Sequence, residues 1–179
     1  MIPTDIIKKY YKEGSELYSI LITHSFSVAD KALEIAQMHP EWEINKDFVY
    51  ESALLHDIGI YLTDAPKIQC FGKYPYICHG YLGADLLRKE GFEKHAFVCE
   101  RHTGVGLTKE NIKLNNLPLP DRNLTPETLE EKLICFADKF YSKSKLTQVK
   151  TVDQIKKHLS KYGADSTIRF ENMVKLFLG

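Results

Sequence analysis

The sequence predicts an all-α fold, a helical bundle formed by a single domain of residues 1–179. Apolar residues recur at steps of three and four along most of the chain, and this spacing keeps side chains on one face of a helix. No run alternates between apolar and polar residues with a convincing period of two, so we expect little or no sheet. A length of 179 residues suits one substantial hydrophobic core.

Capping residues and helix breakers place the helices in order along the chain. Thr23 and Asn45 are side chains of the type that caps a helix N-terminus. Thr125-Pro126 combines such a cap with a proline at the first helical position. Gly91 separates two neighbouring helices. The predicted helices span residues 3–12, 24–38, 46–57, 79–90, 93–102, 125–144, 151–161 and 165–177.

Two connections are longer than helix packing requires. Residues 61–78 and 103–124 contain several glycines and prolines and lack a helical pattern. Loops of this length in a compact domain often carry function. We therefore expect both segments to border a functional site.

Composition and charge exclude several classes of protein. The chain has 24 basic and 24 acidic residues, whereas an obligate nucleic-acid partner normally requires a basic surplus. No stretch approaches the ~20 apolar residues of a membrane span, and Lys8 and Lys9 break the first apolar run. Four cysteines without a CxxC pair indicate reduced thiols rather than a disulfide framework. We expect a cytoplasmic protein without nucleic acid or membrane as partner.

Six polar residues fall on apolar faces of predicted helices. His24, for example, lies in line with Val28 and Ala32, since helical steps of three or four keep side chains together. A single histidine in such a place is more often a hydrogen-bonded core residue, but six inward-facing groups change that interpretation. Buried imidazoles and carboxylates are costly unless a metal ion binds them. The set is His24, His56, Asp57, His79, His102 and Asp138.

Part of this set resembles a known family. His24, the string His56-Asp57-Ile58-Gly59 and Asp138 resemble the HD superfamily of metal-dependent phosphohydrolases over about residues 20–145. The settings of His79 and His102, ICHGYLGADLLRKEGF and ERHTGVG, resemble those of small binuclear members such as the symmetrical dinucleoside-tetraphosphate hydrolases. The resemblance implies a single HD domain over residues 1–179, with a core of about 20–145 and C-terminal helices in 146–179 that pack on it.

The resemblance also implies two divalent metal ions and a division of ligands between them. His24, His56, Asp57 and Asp138 would bind the first ion. His79 and His102 would bind the second, and Asp57 would bridge the two. Nitrogen and oxygen ligands without thiolate suit iron, manganese, zinc, cobalt or nickel. Iron is our first choice, magnesium is a further candidate, and we expect no other cofactor.

One position departs from the family pattern. Many HD hydrolases carry a phosphate-binding lysine directly after HDIG, and here that place is Ile60. Lys73, Arg101 and Lys139 are the candidates for its replacement. Each could instead be a solvated surface charge, an alternative at least as well supported for Lys73. The expected catalytic residues are therefore Asp57, Arg101 and Lys139.

The implied activity is hydrolysis, by metal-activated water, of a phosphoester or phosphoanhydride in a nucleotide-like small molecule. The expected partner is thus a phosphorylated small molecule, and a homodimer remains open. Two other functions are compatible with the same ligands. One is a di-iron HD oxygenase, and the other is a non-catalytic metal-containing sensor. Four aromatic residues of the first loop could stack on a nucleobase or simply pack the loop, namely Tyr61, Phe71, Tyr74 and Tyr76.

Overall fold

Helices dominate the computed structural model, which describes residues 2–179. The prediction of an all-α helical bundle is confirmed. In the described range the α-helices are α1 (Pro3–Tyr10), α2 (Glu16–Met38), α3 (Lys46–Leu55), α4 (His79–Lys89), α5 (Glu93–Arg101), α6 (Lys109–Leu114), α7 (Leu129–Asp138), α8 (Val152–Leu159) and α9 (Ala164–Leu178).

Caps explain where the helices begin. Asn45 accepts a hydrogen bond from the backbone N–H of Phe48, which confirms it as the cap of α3. The predicted start of α2 at Thr23 was wrong, because Ser15 caps the helix and the apolar residues between the two continue it. The predicted start of α7 at Thr125 was early by one turn, since Thr128 provides the cap.

Two short features interrupt the predicted loops. Strands β1 (Thr63–Ala65), β2 (Cys70–Phe71) and β3 (Tyr74–Pro75) form a small sheet of order β2-β1-β3. β1 pairs with β2 antiparallel and with β3 parallel. Helix α6 lies within the segment predicted to be irregular, after a capping box at Thr108 and Asn111. Strands of two or three residues are too short to show an alternating pattern, so the sequence did not predict them.

Two apolar clusters form the core. The first joins α2, α3 and α7 to the C-terminal helices, which contribute Ile155, Leu159, Phe170 and Phe177. The second joins α1 to α2, α3, α4 and α5, with Ile7, Leu21, Leu55 and Leu87 among its buried residues. The amphipathic α8 and α9 thus cover an apolar face of the first cluster.

Gly59 allows α4 to approach the turn that follows α3. A Cβ atom at this position would lie 2.2 Å from the carbonyl oxygen of His79 and 2.5 Å from the backbone nitrogen of Gly83. Both distances are far below van der Waals contact. A side chain here would therefore push the first turn of α4 away from residues 56 and 57.

All four cysteines, Cys70, Cys78, Cys99 and Cys135, are buried as free thiols. In residues 2–179, no helix has both the length and the apolar character that crossing a bilayer requires.

Candidate metal centre

The structure brings the six predicted metal ligands together in the interior. His24 lies in the middle of α2, and His56 and Asp57 follow the last residue of α3. His79 is the first residue of α4, His102 follows α5 directly, and Asp138 is the last residue of α7. All six side chains are buried, with Asp138 the most accessible at 8% exposure. Five helices therefore converge on one cluster.

The first ligand group contains two imidazoles and two carboxylates. His24 Nε2 lies 2.9 Å from Asp138 Oδ1 and 3.2 Å from Asp57 Oδ2. His56 Nε2 lies 3.1 Å from the same oxygen of Asp57. Potential ligand atoms of all four residues lie within 4.8 Å of one another. This spacing allows one metal ion to contact all four residues.

The second ligand group uses the other oxygen of Asp57. His79 Nε2 and His102 Nε2 each lie 3.4 Å from Asp57 Oδ1. The three residues again offer atoms within 4.8 Å of one another. Asp57 therefore directs one carboxylate oxygen toward each ligand group.

Backbone carbonyls orient three of the four imidazoles. In each of these rings Nδ1 lies at hydrogen-bond distance from a carbonyl oxygen three residues earlier, which leaves Nε2 directed into the cluster. The bonds join His56 to Ala53, His79 to Tyr76 and His102 to Cys99, at 2.6, 2.7 and 2.7 Å.

Unsatisfied polar atoms test whether this cluster suits a metal ion. Within the described chain, His56 Nε2 and both carboxylate oxygens of Asp57 are buried and make no hydrogen bond of normal geometry, although Asp57 Oδ2 lies within ion-pair distance of His56 and Lys143. An unsatisfied buried polar group costs about 1–3 kcal/mol, and more when it is charged. A divalent cation would bind these atoms and neutralise the carboxylates. The residues therefore fit the metal site that their chemistry implies.

The charges of the cluster also favour binding of a cation. Burial alone would raise the pKa of Asp57, but His56 and Lys143 hold this pKa well below its usual range. Burial alone would lower the pKa of His56, but the carboxylates of Asp57 and Asp138 raise it to about 9. Burial lowers the pKa of His79 to about 3. The carboxylates are thus ionised, and without metal they hold a proton on His56.

Two lysines supply positive charge at the open side of the cluster. Lys143 Nζ lies 2.5 Å from Asp57 Oδ2, and Lys139 Nζ lies 2.8 Å from Asp138 Oδ2. Lys139 was among the predicted residues, whereas the sequence analysis missed Lys143. A spacing of four residues from Lys139 was the available signal, because such a spacing would place both lysines on one face of a continuous helix. The helix ends at Asp138, however, and the chain turns back.

The other candidate cations lie elsewhere. Arg101 donates to both carboxylate oxygens of the buried Glu131, at 3.1 and 3.0 Å, and its guanidinium lies over the ring of Phe97. A carboxylate of α7 thus holds the guanidinium of Arg101, and its expected catalytic role stays a prediction. Lys73 is exposed between β2 and β3. Ile60, at the family's lysine position, is fully buried in the second apolar cluster.

A cavity of about 980 Å³ opens over the ligand groups. His79, His102 and Asp138 line its inner end, together with Lys139 and Lys143. Both long loops and the C-terminal segment contribute to its walls, in residues 65–77, 103–117 and 150–166. The expectation that the two loops border the site agrees with this arrangement.

Comparisons with known proteins identify relatives of the chain. A family model described as HD domain matches residues 21–142. An uncharacterized protein of Methanocaldococcus jannaschii is 35% identical over 80% of this chain and 78% of its own length. Proteins named tRNA (cytidine(56)-2′-O)-methyltransferase from Thermoplasma volcanium and Picrophilus torridus are 33% and 30% identical, over 94% and 86% of this chain. The chain spans only 45% and 40% of those two relatives. No solved structure matches significantly.

Proposed function

The chain belongs to the HD domain family, and on that premise we propose that it is a metal-dependent phosphohydrolase with two divalent metal ions. One observation carries the proposal. Asp57 directs Oδ2 to the group with His24 and His56, and Oδ1 to the group with His79 and His102. A carboxylate shared in this way suits a pair of ions better than a single one. Nitrogen and oxygen ligands without thiolate suit iron, manganese, zinc, cobalt and nickel, and iron is our first candidate among them.

When bound, such ions lower the pKa of water toward neutrality and stabilise the charge on a phosphoryl group. The chain itself would supply further positive charge. Lys143 and Lys139 pair with Asp57 and Asp138. Ions bound to these carboxylates would take over that pairing. The two ammonium groups, already at the inner end of the cavity, would then be available to bind phosphoryl oxygens as point charges.

The cavity supports a small-molecule substrate. Its volume of about 980 Å³ lies at the upper end of the range typical of small-molecule sites, roughly 300–1,000 Å³. Tyr76 stacks on His79 with ring centroids 4.6 Å apart, and it lines the same cavity. An aromatic face beside the reacting centre suits a nucleotide-like compound. We therefore propose a phosphoester or phosphoanhydride of such a compound as substrate.

The methyltransferase name of two relatives does not transfer to this chain. It belongs to proteins of which this chain spans less than half. The conspicuous feature within the matched region is the cluster of imidazoles and carboxylates, which suits metal-assisted hydrolysis. We propose hydrolysis for this domain and regard RNA methylation as an activity of those relatives.

Metal analysis combined with a substrate panel tests the proposal. Protein purified without added metal would be analysed for metal content, then assayed anaerobically for phosphate release from nucleotides and phosphomonoesters. We expect turnover that is lost in Asp57→Asn and retained in Asp64→Asn, which changes an exposed aspartate of β1. Oxygen consumption with a mixed-valent iron centre would instead indicate an oxygenase. Two bound metals without turnover of any substrate would indicate a sensor.

A further inference from the structure

The cavity extends from the metal ligands toward a second group of basic residues. Lys150, His158 and Lys161 line this outer part, all from the segment that follows the matched family region 21–142. Lys139 and Lys143 line the inner part. The carboxylates that line the same cavity are those of Asp138 and Asp165. The walls are therefore predominantly basic, although the chain as a whole has no net charge.

The inner and outer lysines differ in their partners. Lys139 and Lys143 each pair with a carboxylate of the metal cluster. Lys150 Nζ instead donates to the carbonyl oxygens of Lys139 and Tyr141, at 3.5 and 3.2 Å. Among residues 2–179, no carboxylate lies within ion-pairing distance of Lys150 or Lys161. In the described chain, the outer pair thus has no direct carboxylate partner.

Like charges accumulate in this part of the cavity. Burial lowers the pKa of Lys150, the carboxylate of Asp138 opposes this shift, and the charges of Lys139 and Lys143 add to it. Burial also lowers the pKa of His158, with contributions from the charges of Lys150 and Lys161. Positive groups close to one another repel and destabilise this arrangement. A bound anion would relieve the repulsion.

We propose that Lys150 and Lys161 form a second phosphate-binding subsite, so that the substrate carries at least one phosphate besides the one at the metal centre. This inference rests on the proposed function for the role of the inner end. It would favour phosphoanhydrides over simple phosphomonoesters. His158, beside both lysines and against the ring of Tyr162 at 5.5 Å, borders the same subsite.

The shape of the site favours a small polyphosphate over a nucleic acid. The lysines line the wall of a cavity that also contains the metal ligands, so a ligand on them can reach the reacting centre. A nucleic-acid surface normally presents a broad basic patch and a basic surplus. This chain has 24 basic and 24 acidic residues.

A comparison of two ligands with the same nucleoside but different numbers of phosphates measures what the additional phosphates contribute to binding. We would measure calorimetrically the binding of AMP and of β,γ-methylene-ATP, whose terminal bridge resists hydrolysis, to the manganese-loaded protein. Lys150→Ala and Lys161→Ala should each weaken binding of the triphosphate analogue by about threefold to tenfold. Each should change the affinity for AMP by less than about twofold. Lys157→Ala, an exposed lysine of α8 outside the cavity wall, should change neither.

The outcomes separate the subsite from the proposed function. Lys161 is exposed, so its replacement keeps the test valid even if Lys150→Ala disturbs the backbone carbonyls that Lys150 binds. Equal losses of affinity for AMP and for the analogue would overturn the subsite. Unchanged affinity for the analogue in both variants would overturn it as well. RNA binding that depends on these lysines, without analogue binding, would also overturn it. Selective analogue binding in a protein that hydrolyses no phosphorylated compound would refute the hydrolase and leave the subsite intact.

Discussion

His79 and His102 point their Nε2 atoms at each other across 3.0 Å, while Nδ1 of each ring is bound to a backbone carbonyl. If each Nδ1 carries the proton, both facing atoms carry lone pairs. Two lone pairs at this distance repel unless a cation lies near them. Burial lowers the pKa of both rings, that of His79 to about 3, so a proton is a poor candidate for that cation. The pair is suited to bind a metal ion.

Replacing one histidine of this pair should remove one metal ion. We expect His79→Ala to bind about one equivalent of metal where the unaltered protein binds about two, because the first group keeps all four ligands. Metal content measured by mass spectrometry after dialysis checks this. His39→Ala, which alters a histidine paired with Glu41 at the end of α2, should retain both equivalents. Full occupancy in His79→Ala would show that the ring is structural.

Replacing the shared carboxylate should affect both ions. Asp57→Asn keeps the shape of the side chain but removes the negative charge that faces both ligand groups. We expect loss of both equivalents and a fall in kcat/KM of at least about 10³-fold. Metal content and phosphate release measured on the same preparation check this. An asparagine variant that keeps two equivalents would contradict a shared role for Asp57.

The sequence could predict the ligands because they sit on helices. Each lies in or directly after a helix whose period was readable, so the six inward-facing residues were found before the structure. Lys143 was missed because its position depends on the turn after Asp138. The ion pair of Arg101 could not be predicted, because its partner, Glu131, lies 30 residues away on another helix. Local periodicity predicts which side of a helix a residue occupies, but not which distant group it meets.

Metal binding should release a proton from His56. In the metal-free protein the pKa of His56 is about 9, so the ring is charged at pH 7.5 and must lose a proton to bind metal. The pKa of His79 is about 3, so that ring is already neutral. Metal affinity should rise with pH up to about pH 9 and then level off.

Calorimetric titrations at pH 7.5 in buffers of different ionisation enthalpy measure this release. We expect about one proton for binding to the first group. His79→Ala, which keeps that group, should release the same proton. A heat of binding that is independent of the buffer would show that His56 is neutral before metal binds.

Lys143 should contribute to the reaction rather than to metal binding. Lys143→Met removes the ammonium group that reaches Asp57 but keeps an unbranched side chain beside Tyr76. We expect two bound metal ions and a fall in kcat/KM of about 10–100-fold, because one positive group near the phosphoryl oxygens is lost. Steady-state kinetics and metal analysis check this. Lys145→Met, an exposed neighbour, serves as the control, and equal effects in both variants would contradict a specific role.

Gly59 should be intolerant of any side chain. In Gly59→Ala the new Cβ would lie within 2.5 Å of backbone atoms of His79 and Gly83, and backbone cannot rotate away as a side chain can. We expect a loss of about 3 kcal/mol in the free energy of unfolding. For a chain of this size that corresponds to a fall of roughly 6–12 °C in Tm. Gly14→Ala, at φ +78° with no atom within 4 Å of the new Cβ, should cost only about 1 kcal/mol.

The two variants separate steric conflict from backbone strain. Gly14 has a left-handed backbone conformation and open space around it, whereas Gly59 has an ordinary φ but crowded surroundings. Thermal unfolding of both, with and without added metal, measures the difference. Displacement of α4 would also move His79 away from Asp57, so Gly59→Ala should bind the second metal ion less tightly than Gly14→Ala does. A Gly59→Ala protein as stable as Gly14→Ala would contradict the close approach of α4 to the turn after α3.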